Sequence, residues 1–504
     1  MKLKNFKFSK FFKTNYLVLG LIVLAGSFLR LQGVLSNSFA YTYDVGRDML
    51  ALWNIVVNHD IMFIGPTTGI QGVFYGPWWY YMLSPFFVIF SGNPAGIALI
   101  MALVGIVSII LGYIIGEKIG GKFLGFCFAA LVSASPVLIS LSTQIWNPNI
   151  APLFVLLSFI CLYKIYSLDN TKNNKYFFLL GIILALNIDI EIFWGVLFAI
   201  GIIISQIFII GKKIKIKQIL LLILGLLIVA SPRIIFELKH GFIMTKSFIA
   251  FLVSKNSVED PKTFIQLLEN RIDAYMDLFS TSVAFNNDIA AWLIFIFTVF
   301  SVVILYKRAP EIVKKFIVIL LSILSVFFVG TIVFGRALWP HYLVGLPIIY
   351  ILLFSISLFL IAKKFSNFKI AYLVLIVIFL LNFNPLKEIN NLFLPRWEGN
   401  ISLYRNQLAV VDYVYKEAKG KDFKYVVYTP PVHDYTYQYL FKWYGPREYK
   451  YLPNIEAKTA FFIIEPDPGY EDRPKWWLKD RENDGKIIKS ETLKGGVVIQ
   501  TRVH

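Results

Sequence analysis

The chain has 504 residues, 57% of them hydrophobic and only 16% charged, with a formal net charge of +18. A soluble protein carries about 25% charged residues, so a wholly water-soluble globule is excluded and an integral membrane protein is indicated. The two cysteines, Cys127 and Cys161, both lie inside uncharged apolar segments, which leaves no disulfide framework and no cysteine-based metal site.

The N-terminus carries Lys2, Lys4, Lys7, Lys10 and Lys13 and no acid, followed by an apolar run over 16–35 in which Arg30 is the only charge. This pattern predicts an anchor with a cytoplasmic N-terminus. Ser38-Phe39-Ala40 has the small-x-small form of a signal-peptidase site, but the run before it is long for a signal peptide, so the segment is expected to stay uncleaved. Residues 61–116, 123–163, 192–211, 218–232, 289–306, 316–335, 342–362 and 370–386 hold no charge and supply the further membrane segments.

Loop charge sorts the two sides. Lys212, Lys213, Lys215 and Lys217 form one cluster, Lys307, Arg308, Lys314 and Lys315 a second, and Lys363, Lys364 and Lys369 a third, all expected in the cytoplasm. Loop 34–76 has three acids against one arginine, and loop 237–288 seven acids against five basic residues, so both are expected outside. An inside N-terminus and an outside second loop require an odd number of crossings between them. Eight apolar segments can be drawn there, so one is re-entrant or merged, with 77–90 and the stretch around Pro136 and Pro148 as the candidates. In the second loop Phe264, Leu267, Leu268, Ile272, Tyr275 and Phe279 recur at helical spacing and predict an interfacial amphipathic helix. Four further spans leave the C-terminus outside.

From residue 387 the composition changes: 35 of the last 118 residues are charged. Helices are expected over 402–418 and 434–443, and strands over 425–428, 460–464 and 497–500. The expected fold is an α-helical polytopic membrane protein with about 11–13 transmembrane helices (1–386) and a small extracytoplasmic α/β domain (387–504).

Polar groups that meet the membrane are where chemistry is sought. In YTYDVGRDML, Asp44 and Asp48 stand four residues apart with Arg47 between them, so on a helix the two acids share a face. A carboxylate against an apolar wall has its pKa raised toward the range useful for proton abstraction; the simpler account is that the acids complement a helix dipole. VFYGPWWYYMLSP places six aromatics around a Gly-Pro turn, either as a membrane-interface belt or, through Tyr75 and Trp79, as a stacking surface for a sugar.

The block from Asp44 to Tyr81, together with SPRIIFELKHGF, GRALWPHYLVGLP and the outer C-terminal domain, resembles the multispanning family C glycosyltransferases. The likeness is to the branch of the lipid A aminoarabinose transferases and protein O-mannosyltransferases. It implies a polyprenyl-phosphate sugar as donor, a lipid, glycan or protein as acceptor, a plasma-membrane location and no cofactor. Asp44 matches the family's proposed base. The family's neighbouring Glu is replaced by Val45, and Asp48 one turn on is the nearest substitute. IWNPNIAPLF carries Asn147 and Asn149 where relatives often have an acid, and NIDIEIFW carries Asp189 and Glu191 where a Lys or His is common.

Acids near the bilayer cost roughly 2.5–3.5 kcal/mol on insertion scales and are usually functional. Asp189 and Glu191 are thus candidates to line a sugar or acceptor cavity with Tyr75, Trp79 and Asn149; as the simpler expectation, they occupy a water-exposed turn between two short helices. Arg336, His341 and Tyr342 match the family's element at the lipid phosphate, although a lone arginine beside Trp339 also suits snorkelling. Arg233 and Lys239 form a second phosphate candidate. The five histidines are scattered without metal-ligand spacing, and no Gly-rich phosphate loop or nucleic-acid partner is implied. Trp476-Trp477 followed by Leu478, Lys479 and Asp480 departs from the oligosaccharyltransferase pattern. A transporter or lipid flippase is the alternative, but no inverted repeat supports it.

Overall fold

The computed structural model describes residues 14–168, 172–211, 214–254, 263–284, 287–366, 399–430 and 433–503, with 369, 372, 373 and 376. In hydrocarbon only a helix or closed barrel satisfies its own backbone, and the uncharged runs accordingly form helices. Helix α1 (Thr14–Leu35) is followed by two shorter helices, α2 (Tyr43–Val56) and α3 (Trp78–Ile89). The bundle continues with α4 (Pro94–Gly120), then α5 (Lys122–Ala134), which bends by 63° into α6 (Pro136–Ser142). Helices α7 (Ala151–Ser167), α8 (Asn174–Ile190), α9 (Ile192–Ile209) and α10 (Ile216–Lys239) follow. After α11 (Ile243–Val253) and α12 (Phe264–Val283) come α13 (Asp288–Leu305), α14 (Glu311–Phe334) and α15 (Leu346–Phe365).

Eight helices among the described residues are long and apolar enough to cross a membrane, and the bent α5–α6 pair makes a ninth if it is one span. Helix α8, with 17 residues, is at the short end of spanning length. Helix α3 has only 12 residues, about 18 Å of rise against a hydrocarbon core of about 30 Å. It is therefore the segment that fails to cross, and α1, α4, α5–α6, α7, α8, α9 and α10 give the odd number required before the second loop. The Pro136 stretch crosses with a bend. The expected last span, 370–386, and the first residues of the C-terminal domain lie almost wholly outside the described residues.

The lysine-bearing ends of the helices gather together. Lys118 lies over the Tyr163 ring, Lys315 over the Tyr166 ring, and Gln218 donates to Asn173 at 3.1 Å. Helices α8 and α10 touch backbone to backbone, because a Cβ on Gly181 would come 2.1 Å from the Leu222 carbonyl and one on Gly225 2.3 Å from that of Phe178. Helix α12 forms as expected and is capped by Thr263 and Gln266, but its inward face differs from the predicted one. Leu267 and Phe279 are buried, whereas Phe264 and Ile272 are exposed and Arg271 points inward. The reason is that Arg271 donates to the carbonyls of Thr331 and Arg336 at the end of α14.

The C-terminal domain comprises α16 (Tyr404–Ala418), β1 (Lys424–Tyr428), α17 (Tyr435–Tyr449), β2 (Thr459–Ile464), α18 (Asp472–Lys479), β3 (Lys486–Thr492) and β4 (Val498–Val503). Its sheet has the order β1-β2-β4-β3, with β1 and β2 parallel and the other pairs antiparallel. The domain sits on the end of the bundle opposite the lysines. Ala40 bridges Leu403, Tyr41 N–H donates to the Ser402 carbonyl at 2.7 Å, and Tyr439 and Trp443 donate to the carbonyls of Gly92 and Ser91. A Cβ on Gly46 of α2 would collide with the Thr436 amide at 2.4 Å, so α17 rests directly on α2.

Candidate active site

The first turn of α2 begins at Tyr43 and brings Asp44, Arg47 and Asp48 to one face. Arg47 pairs with both acids, at 2.7 Å from Asp44 and 2.8 Å from Asp48. The two acids then differ. The Asp48 side chain is 1% exposed, and it also accepts from Trp79 Nε1 at 2.8 Å and the Tyr80 hydroxyl at 3.3 Å. That pairing fastens α2 to α3 and closes Asp48 off from solvent. Asp44 keeps 23% of its side chain accessible. Burial pushes its carboxyl above the ordinary value, and the Arg47 charge opposes part of that rise.

A second group forms where the first outer loop closes over the junction of α8 and α9. The Tyr75 hydroxyl donates to Glu191 Oε2 at 2.6 Å, and His341 Nε2 lies 3.9 Å from the same oxygen. Gly76 N–H donates to the Asp189 carbonyl at 3.0 Å, and Trp78 N–H to Asp189 Oδ2 at 3.0 Å. A Cβ at residue 76 would fall 1.4 Å from Asp189 Oδ1, so the Gly-Pro turn needs its glycine. Asp189 and Glu191 are 0% and 2% exposed, which overturns the expectation of a water-exposed turn. The chain passes from α8 to α9 through Glu191 alone, whose carboxylate caps α9 through the Phe193 amide, and the outer loop covers the corner.

Arg233, near the outer end of α10, holds its Nε 3.3 Å from Asp189 Oδ1. Among the described residues its two terminal nitrogens have no partner, and 15% of the side chain is accessible. Burial raises the Tyr75 pKa first, and then the Glu191 charge. Tyr342 stacks obliquely on Phe193 at 4.6 Å, and His341 packs edge-on against Trp146 at 5.1 Å.

Of the residues expected from sequence, Tyr75, Asp189, Glu191, Arg233, His341 and Tyr342 are brought together, while Asp44 and Asp48 form a separate pair about Arg47. Trp79 is fully buried behind α2, with its indole turned to Asp48. Asn149 faces an inner cavity beside Arg30. Arg336 lies apart, donating to the carbonyls of Phe251 and Ser254 at the end of α11, with its guanidinium over the Phe251 ring. Trp146 and Gly76 are members of the site that sequence reasoning did not single out. The Gly-Pro turn was the available sign for one, and a lone Trp before Asn147-Pro148 for the other. Among the described residues no three His, Cys, Asp or Glu side chains gather as metal ligands.

Residues 75–236, which include Tyr75, Asp189, Glu191 and Arg233 but not Asp44 or His341, match the family described as dolichyl-phosphate-mannose-protein mannosyltransferase. Comparison with the curated proteins gives no match. In structure the chain is similar to ArnT from Cupriavidus metallidurans bound to undecaprenyl phosphate, with a TM-score of 0.59 and 10% identity over 97% of this chain and 98% of that one. It is similar also to the apo state of the same protein, with a TM-score of 0.60 and 8% identity over the same shares. The resemblance read from the sequence is thereby borne out in fold: over 97% of its length the chain has the fold of ArnT, and over 75–236 it matches the protein mannosyltransferase family.

Proposed function

We propose that the protein moves a sugar from a polyprenyl-phosphate donor to a hydroxyl acceptor on the outer side of the membrane. The observation that carries this reading is the accessible carboxylate of Asp44, held beside Arg47 at the start of α2, in a chain with the ArnT-like fold. ArnT, which shares the fold, is known with undecaprenyl phosphate bound, and this supports the donor class. The lysine-bearing helix ends are assigned to the cytoplasm by the positive-inside rule, which puts the C-terminal domain outside the plasma membrane.

In the reaction the acceptor oxygen attacks the anomeric carbon while the bond from that carbon to the phosphate oxygen breaks. Asp44 takes the acceptor's proton. The leaving polyprenyl phosphate departs with the bonding electrons, and its charge is met by the terminal nitrogens of Arg233, which suit phosphate geometry. Asp189 aims that fork through Nε, and Glu191 with Tyr75 fixes the wall against His341.

The test is release of polyprenyl phosphate by purified protein in detergent from labelled polyprenyl-phosphate sugars, with and without hydroxyl acceptors. Acceptor-dependent release is expected. Turnover of nucleotide sugars instead defeats the donor assignment, and movement of an unmodified lipid-linked sugar across proteoliposomes points to a flippase.

A further inference from the structure

Arg30 is the only charge in the apolar run of α1, and it is 1% exposed. An ionised side chain at such depth ordinarily meets a carboxylate. Arg30 instead meets carbonyls: Nη1 donates to Gly26 at 3.1 Å and Ser133 at 2.9 Å, and Nη2 to Val132 at 2.9 Å. Val132 and Ser133 belong to the last turn of α5, whose carbonyls lose their helical partners where Pro136 opens α6. A positive charge is favourable at such a helix end. The guanidinium therefore ties off the bend in this span.

One donor is left over. Arg30 Nε is buried without a partner, and Arg30 borders a cavity of about 20 Å³ whose lining includes Gly105, Ser108, Ser142 and Asn149. Asn149, 4% exposed, donates through Nδ2 to the Gln144 carbonyl, while its Oδ1 is also buried and unpartnered. The hydroxyls of Ser108 and Ser142 donate back to the carbonyls of Val104 and Leu138, so their oxygens have lone pairs to offer. The cavity thus joins one unpaired donor to several acceptors. Its volume suits a single water, which needs about 10–15 Å³ and two to four polar partners.

We infer that one ordered water binds here, accepting from Arg30 Nε and donating to Asn149 Oδ1 and a serine oxygen, and that this bridge clamps the α5–α6 bend to the segment after it. A halide is disfavoured because the acceptor oxygens would repel it. Gly105 supplies the room, since a Cβ there would lie 2.7 Å from Arg30 Nε and 2.8 Å from Ser142 Oγ. The clamp fixes 143–150, which carries Trp146 to His341 and sets Asn147 to donate to the Ile190 carbonyl beside Glu191. It does not depend on the glycosyl-transfer reading.

A double-mutant cycle tests it in solution, because Arg30 and Asn149 make no direct bond and a water held by both would make their losses non-additive. In thermal unfolding of the purified protein, Arg30→Met and Asn149→Leu are each expected to lower the Tm, and the double variant to melt no lower than the weaker single one. Additive losses overturn the proposal. Should Arg30→Met fail to fold, Arg30→Lys takes its place in the cycle, keeping a charge for the carbonyls while removing Nε, with the same two outcomes. A high-resolution structure is expected to show one density peak between Nε and Oδ1. An empty cavity, or an anomalous peak there from crystals grown in bromide, overturns the assignment.

Discussion

The Asp189 carboxylate occupies the space that a side chain at Gly76 would need, with a Cβ there falling 1.4 Å from Oδ1. The Gly-Pro turn and the buried acid are therefore one unit. Gly76→Ala is expected to push Asp189 off the Trp78 amide and Arg233. Overpacking of this kind costs about 1–3 kcal/mol, and here the obstacle is a charged, hydrogen-bonded group. Thermal unfolding in detergent checks the loss, and a variant as stable as the parent argues that the turn can open.

Asp44→Asn keeps shape and hydrogen bonding but cannot take a proton. Turnover is expected to fall by about 10²- to 10⁴-fold, with donor affinity and stability nearly unchanged. A loss below tenfold would make Asp44 a helix-capping or positioning residue.

Asp48→Asn should behave differently. It removes charge from a site where Arg47, Trp79 and Tyr80 converge, and breaking a buried pair costs about 3–5 kcal/mol. Stability and rate are expected to fall together. A fully stable variant with the same rate loss as Asp44→Asn would instead mean that the two acids act as a pair.

The pH profile follows from the direction of the Asp44 shift. A base works only when ionised, and burial raises its pKa, so the acid limb of kcat/KM is expected above the ordinary aspartate value of 3.8. Arg47 opposes that rise. Arg47→Met should therefore move the limb to still higher pH, because loss of the positive neighbour disfavours the carboxylate. Movement to lower pH would show that another group titrates.

Arg233→Gln is expected to weaken polyprenyl-phosphate binding by tenfold or more, in keeping with about 1.5–3 kcal/mol for a hydrogen bond to a charged group. Arg336→Gln is expected to do less, since Arg336 already serves the carbonyls at the end of α11. Isothermal titration or a labelled-lipid assay separates the two, and the reverse order would move the phosphate site to α14.

Charge and hydropathy made the spans legible because a bilayer tolerates few other solutions, and helical period found α12, α16 and α17. They did not reveal β3, whose residues are all exposed and show no alternation, nor the charged α18. The inward turn of Arg271 escaped because its partners are backbone carbonyls 60 and 65 residues away, which no local pattern encodes. In the site, Asp44 was visible through its motif. The burial of Asp189 and Glu191 was not, because it depends on loop 65–76 folding back across the bundle, and the different surroundings of Asp44 and Asp48 emerge only from the Trp79 indole reaching Asp48.

The strand-like pairing of residues 37–41 with 402–405 bears on the order of biosynthesis. Tyr41 receives a hydrogen bond from Gln407, 366 residues later, and α2 is seated beneath α17. While the chain is being made, the spans that hold Arg233 enter the membrane long before anything can settle Asp44 into place. On the proposed function a half-made protein meets donor lipid without a fixed base to use it with, and competence would arrive only when the last hundred residues have docked.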